Sequence, residues 1–161
     1  MNIRELLFPK QINDKLIDAL MQQIDEHKAS LEDNIFFKSA MNVGYAYVTN
    51  VETNEIIWIN DRLRNRIGNV VGKQCYEMFQ NFDEPCTFCT NDELLYNGVG
   101  ATKTWVHYNT MLEELLLVTD TLLEYTNGKK ILYRFEISIP LTQQITKILQ
   151  VCQTHKLISK P

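Results

Sequence analysis

Three of the chain's four cysteines lie close together in its middle. Cys75, Cys86 and Cys89 fall within the segment from Val71 to Thr90. A two-strand pattern precedes this segment and a three-strand pattern follows it. The cysteine segment itself, with its Gly, Pro, Asn and Asp residues, is typical of short helices and loops. The chain must therefore fold with a helical, cysteine-bearing connection between two groups of strands.

The strand patterns have period two. The run from Gly44 to Thr49 alternates aromatic residues with small or β-branched ones, and every second residue from Ile131 to Ile139 is apolar. Alternation of this kind predicts strands, each with one buried face. The five predicted strands are 44–49, 56–59, 103–109, 115–125 and 131–139, with a hairpin turn at Asn127-Gly128 between the last two.

The order of these elements predicts an α+β fold. A helix comes first, then two strands, short helices, three strands and an exit helix. This order favours a five-stranded antiparallel sheet with helices on one face, plus N-terminal and C-terminal flanking helices. We assign residues 1–41 to the first flanking helix, 42–139 to the globular domain and 140–161 to the exit helix. Pro140 is a favourable first helical residue.

The N-terminal segment carries an apolar seam at heptad spacing. Its positions alternate steps of four and three residues, with one polar position at Lys28. The seam consists of Ile17, Met21, Ile24, Lys28, Leu31 and Ile35. Such a helix can pack on its own domain or pair with a second copy of itself. The second arrangement predicts a homodimer.

Composition excludes several classes of function. The net charge is -4 and the basic residues are scattered, which argues against a nucleic-acid partner. The sequence contains no apolar run of about 18 residues, so we expect no membrane span. The N-terminus lacks the apolar core of a signal peptide. We therefore expect a cytoplasmic protein with reduced cysteines.

Four short segments together resemble the PAS sensory domains of bacterial signalling proteins. Gly72–Phe79 looks like a Gly-Lys-x-Cys-Tyr helix start, and Pro85–Cys89 looks like the Pro-Cys-x-x-Cys of one bacterial subgroup. Trp105–Asn109 lies where that subgroup has a strand. Glu136–Ser138 stands where many PAS domains carry Asp-Ile-Thr. The resemblance covers residues 42–138.

The resemblance implies a sensor rather than an enzyme. Such a module binds a small ligand or responds to redox state, and passes the signal through its flanking helices. Its downstream output domain would be one such as a GGDEF domain or a histidine kinase, and this sequence contains motifs of neither. The alternative is a protein-interaction or dimerisation module with no ligand. We identify no catalytic residues, because no nucleophile–base pair or phosphate loop stands out.

The three clustered cysteines have three interpretations. Cys75, Cys86 and Cys89 could ligate zinc or an iron–sulfur centre, with a fourth ligand from His107 or Cys152. A thiol–disulfide switch is the second interpretation. The third is simple packing, since cysteine is among the most buried residue types.

Aromatic residues suggest a cavity lined by a few polar groups. We select Cys75, Tyr47, Trp105 and Phe135 as candidate cofactor-binding residues, although the sequence does not identify the cofactor. Cys75 stands where light-sensing flavin PAS domains carry a reactive cysteine. However, Tyr76 replaces the Arg that binds the flavin phosphate in those domains, which argues against a flavin.

Glu136 is the candidate pivot between the sheet and the exit helix. On a strand it points away from the Phe135 side, and it lies four residues before Pro140. A carboxylate there could accept hydrogen bonds from the exposed amides of the following helical turn. The other interpretation is a solvated strand residue.

The seam yields the first prediction. A charge at a buried seam position is costly unless it is paired. We expect Ile24→Glu to shift the chain from dimer to monomer in analytical ultracentrifugation. If wild type and variant sediment as the same species, the seam does not drive association.

Overall fold

The computed structural model describes residues 44–141. It also describes residues 19, 20, 22 and 23 before them, and residues 147, 150–152, 154 and 155 after them. The six seam positions of the N-terminal segment lie outside the described residues, so the predicted pairing of flanking helices stays a prediction.

Five strands form one antiparallel sheet. They are β1 Tyr45–Asn50, β2 Ile56–Ile59, β3 Thr102–Asn109, β4 Glu114–Asn127 and β5 Lys129–Pro140. Their order across the sheet is β2-β1-β5-β4-β3, so the first and last strands of the domain are neighbours at its centre. This arrangement confirms the predicted α+β fold class with a five-stranded antiparallel sheet.

Three short helices connect β2 to β3. They are α1 Asp61–Ile67, α2 Cys75–Gln80 and α3 Asn91–Asn97. Asn60 caps α1, because its side-chain oxygen accepts a hydrogen bond of 3.1 Å from the Leu63 amide. Gly68, with φ at 85°, ends that helix. None of the helices in the described part of the chain has the length and apolar character needed to cross a bilayer.

Both faces of the sheet are covered. One face, which we call the helix-covered face, packs Tyr45 and Tyr47 against Leu63, Cys75 and Phe79 of the helical connection. The opposite face holds a second apolar cluster. Its buried members are Leu20, Ala46, Val48, Trp58, Leu123, Tyr133, Phe135 and Ile137.

The central strand β5 differs from the expectation of one buried face. Tyr133, Phe135 and Ile137 are buried on the opposite face, as the alternation predicts. Arg134 and Glu136, which alternate with them, are also buried, on the helix-covered face. A strand at the centre of a covered sheet is buried on both sides, so its polar residues must find partners inside the fold.

The described N-terminal residues contact the sheet at two points. Leu20 is 1% exposed and belongs to the cluster on the opposite face. Gln23 uses its side-chain amide on the backbone of Glu124, donating to the carbonyl oxygen and accepting a 2.8 Å hydrogen bond from the amide. At Glu124, β4 has passed the end of its pairing with β3. The Gln23 side chain makes the backbone hydrogen bonds there that a neighbouring strand would otherwise make.

The end of β5 differs from its predicted position. Pro140 is the last residue of the strand, where it pairs with Leu116, and is not the first residue of a helix. The amide of Leu141 continues the pairing with a 2.9 Å hydrogen bond to the Leu115 carbonyl. Lys147, Gln150 and Val151 are helical.

The cluster on the opposite face predicts a stability effect. Phe135 is 1% exposed and stacks on Trp58 with ring centroids 6.4 Å apart. We expect Phe135→Ala to lower the free energy of unfolding by about 3–5 kcal/mol, because it leaves a cavity. Val106→Ala, at a half-exposed position of β3, should change it by less than about 0.5 kcal/mol. Equal effects in urea denaturation would contradict this assignment of the core.

Candidate functional site

A cavity of about 60 Å³ lies between the helix-covered face and the helical connection. Strands β1, β3, β4 and β5 supply one wall, and α1, α2 and the 85–90 loop supply the other. The apolar part of the lining includes Phe79, Phe88, Leu112 and Leu116. Polar side chains from β5 and β3 interrupt this apolar surface, as in small-molecule sites generally.

The cavity contains three of the four candidate cofactor-binding residues. Tyr47, Cys75 and Trp105 line it. Phe135 does not, because neighbouring strand residues point to opposite faces and Phe135 lies on the face away from the helices. Phe135 therefore lies outside this cavity, and its contribution to cofactor binding stays a prediction. The residues on either side of it, Arg134 and Glu136, line the cavity instead.

The three clustered cysteines line the same cavity as free thiols. The amide of Cys89 donates a 3.2 Å hydrogen bond to the Cys86 carbonyl, which places the two residues in one turn. Burial raises the pKa of Cys75, and it raises the pKa of Cys86 to about 11. Both residues are therefore protonated thiols at neutral pH, the form that reacts slowly with oxidants.

The metal interpretation finds no geometric support in the described residues. Within residues 44–141 and the few described positions outside them, no three His, Cys, Asp or Glu side chains come together in a way that could hold a metal ion. This includes Cys75, Cys86 and Cys89. No step of the function below depends on a metal.

Strand register places the Tyr47 phenol and the carboxyl groups of Glu136 and Asp120 in one row across the sheet. Tyr47 of β1 pairs with Glu136 of β5, and Glu136 pairs with Asp120 of β4. The Tyr47 hydroxyl donates a 2.6 Å hydrogen bond to Glu136 Oε2, and the Ser138 hydroxyl donates a 3.0 Å bond to Oε1. Glu136 therefore lies inside the site with two hydroxyl groups around it.

Glu136 does not have the environment predicted from the sequence. It is neither a solvated strand residue nor a cap of the exit helix, because its side chain is buried and faces the cavity. Burial, followed by the neighbouring charge of Asp120, raises its pKa from 4.5 to about 8. Glu136 is consequently a neutral carboxylic acid at pH 7.

Asp120 is fully buried behind the cavity wall. Its Oδ2 accepts hydrogen bonds of 2.8 Å from the Thr90 hydroxyl and 2.9 Å from the Trp105 indole. Its Oδ1 lies 3.8 Å from Arg134 Nε, a distance that allows charge pairing but no hydrogen bond. Two hydrogen-bond donors and one cation thus surround this carboxyl group within the sheet.

Arg134 is the buried cation of the site, with 5% of its surface exposed. Its Nη1 donates a 3.0 Å hydrogen bond to Asn91 Oδ1 and lies 3.2 Å from Cys89 Sγ. Burial favours the neutral form, but Tyr47 and Asp120 outweigh it and hold the pKa of Arg134 well above its usual value. Nε has no hydrogen-bond partner among the described residues.

His107 supplies a second buried atom without a partner. Its Nε2 lies 3.2 Å from Gln80 Oε1, while Nδ1 has no hydrogen bond within the described part of the chain. Its ring packs between Phe88 and Trp105, each with a centroid 5.1 Å away. Burial lowers the pKa of His107, so the ring is neutral at pH 7.

Sequence reasoning missed Arg134 and Asp120 as site residues. The signal available was their position, since each is a charged residue inside an otherwise apolar strand run. A charge in such a run indicates a partner within the fold. The sequence could not show that the two strands lie side by side in the register that brings these charges together.

A flavin does not fit this cavity. An engineered cavity of about 150 Å³ holds a single benzene ring, and the volume here is about 60 Å³. The three-ring system of a flavin is far larger than benzene. Cys75 lines the cavity near the start of α2, but the space beside it suits a molecule of only a few non-hydrogen atoms.

The raised pKa of Glu136 predicts how stability depends on pH. In the unfolded chain this carboxyl ionises near pH 4.5, and in the folded chain near pH 8. Between these values only the unfolded state loses the proton, so stability falls as pH rises through this window. In urea denaturation, we expect the free energy of unfolding of the wild-type chain to fall by on the order of 3 kcal/mol between pH 4.5 and 8. This fall should be absent in Glu136→Gln.

Glu52→Gln is the matched control, because Glu52 is exposed. Its stability profile should follow that of wild type. A Glu136→Gln profile parallel to that of wild type across the same pH range would show that Glu136 is ionised in the folded chain.

Comparison with known proteins gives similarity to solved structures alone. No protein-family model matches the sequence, and no curated protein matches it. Among solved structures, an RNA-binding Light-Oxygen-Voltage receptor is 15% identical with a TM-score of 0.47. That match covers 81% of this chain and 39% of the receptor, so the chain spans about two fifths of the receptor's length.

Two further matches are with proteins of similar size to this chain. The PAS domain from Bordetella pertussis BvgS is 15% identical, with a TM-score of 0.43 and coverage of 91% of this chain and 100% of that domain. The dark structure of the blue-light photoreceptor Aureochrome1 LOV is 12% identical, with a TM-score of 0.46 and coverage of 92% and 99%. Identities this low concern the fold alone.

Proposed function

We propose that this chain is a sensory module that binds a small molecule in the cavity between the helix-covered face and α1, α2 and the 85–90 loop. The observation that carries the proposal is a cavity lined by buried polar side chains, among them Arg134 and His107, each of which has one ring or guanidinium nitrogen without a hydrogen-bond partner among the described residues. Buried polar groups in folded proteins are nearly always satisfied, by protein, by water or by a ligand.

The position of the cavity on β5 supports a signalling role. Arg134 and Glu136 reach the cavity from one side of the strand, while Phe135 on the other side packs in the cluster that contains Leu20. A ligand that favours one packing of the cavity would also favour one packing of the N-terminal residues. Such a population shift needs only a difference in ligand affinity between the two arrangements.

The flanking segments are the proposed output. Self-association through the flanking helices, and coupling to a downstream domain such as a GGDEF domain or a histidine kinase, follow from the resemblance to PAS domains. In this proposal the signal reaches both the N-terminal and the C-terminal flanking segments. Leu20 and Gln23 contact the sheet on the N-terminal side, and the segment after Pro140 continues from its central strand.

A redox response is the second candidate. Cys86 and Cys89 lie in one turn at the cavity, which favours a disulfide between them. The pKa of Cys86, raised to about 11 by burial, makes its thiol a poor nucleophile at neutral pH. The site therefore supports ligand binding better than thiol chemistry.

A cavity-filling substitution tests the proposal. Leu116 lines the cavity, whereas Leu117 follows it on the opposite face. We expect Leu116→Phe to fold but to lose a small molecule that wild type and Leu117→Phe both retain, because the added ring atoms occupy the cavity. Native mass spectrometry of freshly purified protein, and melting temperature against a panel of small acids, amines and alcohols, provide the measurement.

A wild-type chain that binds no small molecule would contradict the proposal. If wild type carries no extra mass and no compound of the panel raises its melting temperature, the cavity is not a ligand site. The alternative of a protein-interaction or dimerisation module without a ligand would then take its place.

A further inference from the structure

The charges around the cavity are unevenly distributed. Arg134 is a cation that lines it directly, whereas its counter-charge Asp120 is fully buried behind the wall and already accepts two hydrogen bonds. The guanidinium Nε–H has no hydrogen-bond acceptor among the described residues and lies 3.8 Å from Asp120 Oδ1, which has no donor there. Its Nη1 contacts Cys89 Sγ, and thiol sulfur is a weak acceptor.

Four titratable groups of the lining, those of Tyr47, Cys75, His107 and Glu136, are neutral at pH 7. Burial raises the pKa of Tyr47 and Cys75 and lowers the pKa of His107. Glu136 keeps its proton up to about pH 8, because it is buried beside Asp120. A molecule in the cavity therefore meets one positive charge, that of Arg134, beside these neutral groups.

We propose that the cavity binds a short-chain monocarboxylate, with its carboxylate on the Arg134 guanidinium and its aliphatic part against Phe88 and Leu116. This assignment rests on the proposed function of the cavity as a ligand site and names the chemical class of that ligand. Arginine pairs with carboxylates through strong, charge-assisted hydrogen bonds. The carboxylate gives the guanidinium better acceptors than the Cys89 sulfur.

The size of the cavity limits the length of the acid. About 60 Å³ is less than half of the roughly 150 Å³ that holds benzene. The shortest acids, of two or three carbons, come nearest to this space, whereas longer acids and aromatic acids exceed it. The aromatic and aliphatic lining favours an unsubstituted chain over a hydroxylated one, because added polar groups would lose hydrogen bonds to water.

Ionisation of Glu136 should oppose binding. The groups that face it are Tyr47 from β1, Asp120 from β4, Arg134 and Ser138 from β5, and Cys75 from α2. Once Glu136 loses its proton, the cavity contains a negative charge close to the carboxylate of the ligand. Affinity for the acid should therefore fall by roughly tenfold as pH rises through about 8, and Glu136→Gln should abolish that fall.

Titration of the full chain with sodium propionate is the direct test. Propanamide, which is neutral, and propylammonium, which is cationic, are the matched ligands of similar size. Calorimetry at pH 6.5 gives the affinity of the chain for each compound. The charge-removing variant is Asp120→Asn with Arg134→Gln, since removing the cation alone would leave Asp120 unpaired. Lys103→Gln is the control, because Lys103 pairs with Glu93 at the surface. We expect propionate affinity to fall at least about tenfold in the double variant and to be unchanged in Lys103→Gln.

The two tryptophans of the chain provide a test that needs no variant at the buried pair. Trp105 lines the cavity and donates its indole N–H to Asp120, whereas Trp58 is buried on the opposite face. Propionate should shift the indole N–H resonance of Trp105 in a ¹H–¹⁵N spectrum and leave that of Trp58 in place. This measurement decides the matter even if the double variant does not fold.

The remaining outcomes separate the two proposals. If propanamide or propylammonium binds and propionate does not, the carboxylate assignment fails while the cavity remains a ligand site. If propionate binds the double variant as it binds wild type, or shifts neither indole, the assignment to Arg134 fails. If no small molecule binds the chain, both the assignment and the proposed function fail.

Discussion

The buried guanidinium of Arg134 organises the interior of this domain. An unpaired buried charge costs several kcal/mol, so the surrounding groups must satisfy it. Asp120 supplies the opposite charge from the neighbouring strand, and Asn91 supplies an acceptor from α3. Thr90 and Trp105 in turn donate to Asp120. One charge on β5 thus connects β4, β3, the start of α3 and the cysteine-bearing loop.

The same charge network explains why Glu136 is neutral. Glu136 lies directly across from Asp120, which has Arg134 as its counter-charge and accepts two hydrogen bonds. A second carboxylate in the same buried row would repel the first, so the proton remains on Glu136. The site therefore has a cation facing the cavity, an anion behind the wall and a neutral acid beside them. This separation of roles follows from register and burial rather than from residue type.

The sequence predicts the framework of this fold well. Alternating or continuous apolar runs predict all five strands, and Asn60 and Gly68 are residue types that begin and end a helix such as α1. These features are local, because alternation and capping depend on near neighbours in the chain. The position of Pro140 is the exception. It was expected to begin a helix, but its lack of an amide hydrogen does not prevent pairing at the end of β5.

The candidate site is less predictable, because it depends on contacts between distant segments. The sequence identifies Tyr47, Cys75 and Trp105 as cavity residues but selects Phe135, which faces the other way. The position of Phe135 outside the cavity has a physical cause. Apolar alternation in β5 was interpreted as one buried face, and nothing within the strand indicates that helices also cover its polar side. Only the pairing of β4 with β5 brings the charges of the site together.

Two routes connect the site with the N-terminal residues. In the chain, Phe135 lies between Arg134 and Glu136, so a shift of β5 that accommodates a ligand also moves a ring packed in the cluster with Trp58 and Leu20. The second route follows β4, where the backbone of Glu124, four residues beyond Asp120, holds the side chain of Gln23. Because packed cores switch between discrete arrangements rather than deform continuously, a change at the Arg134–Asp120 pair would reach both contacts together. The N-terminal segment is thus held by the two strands that carry the charges of the cavity.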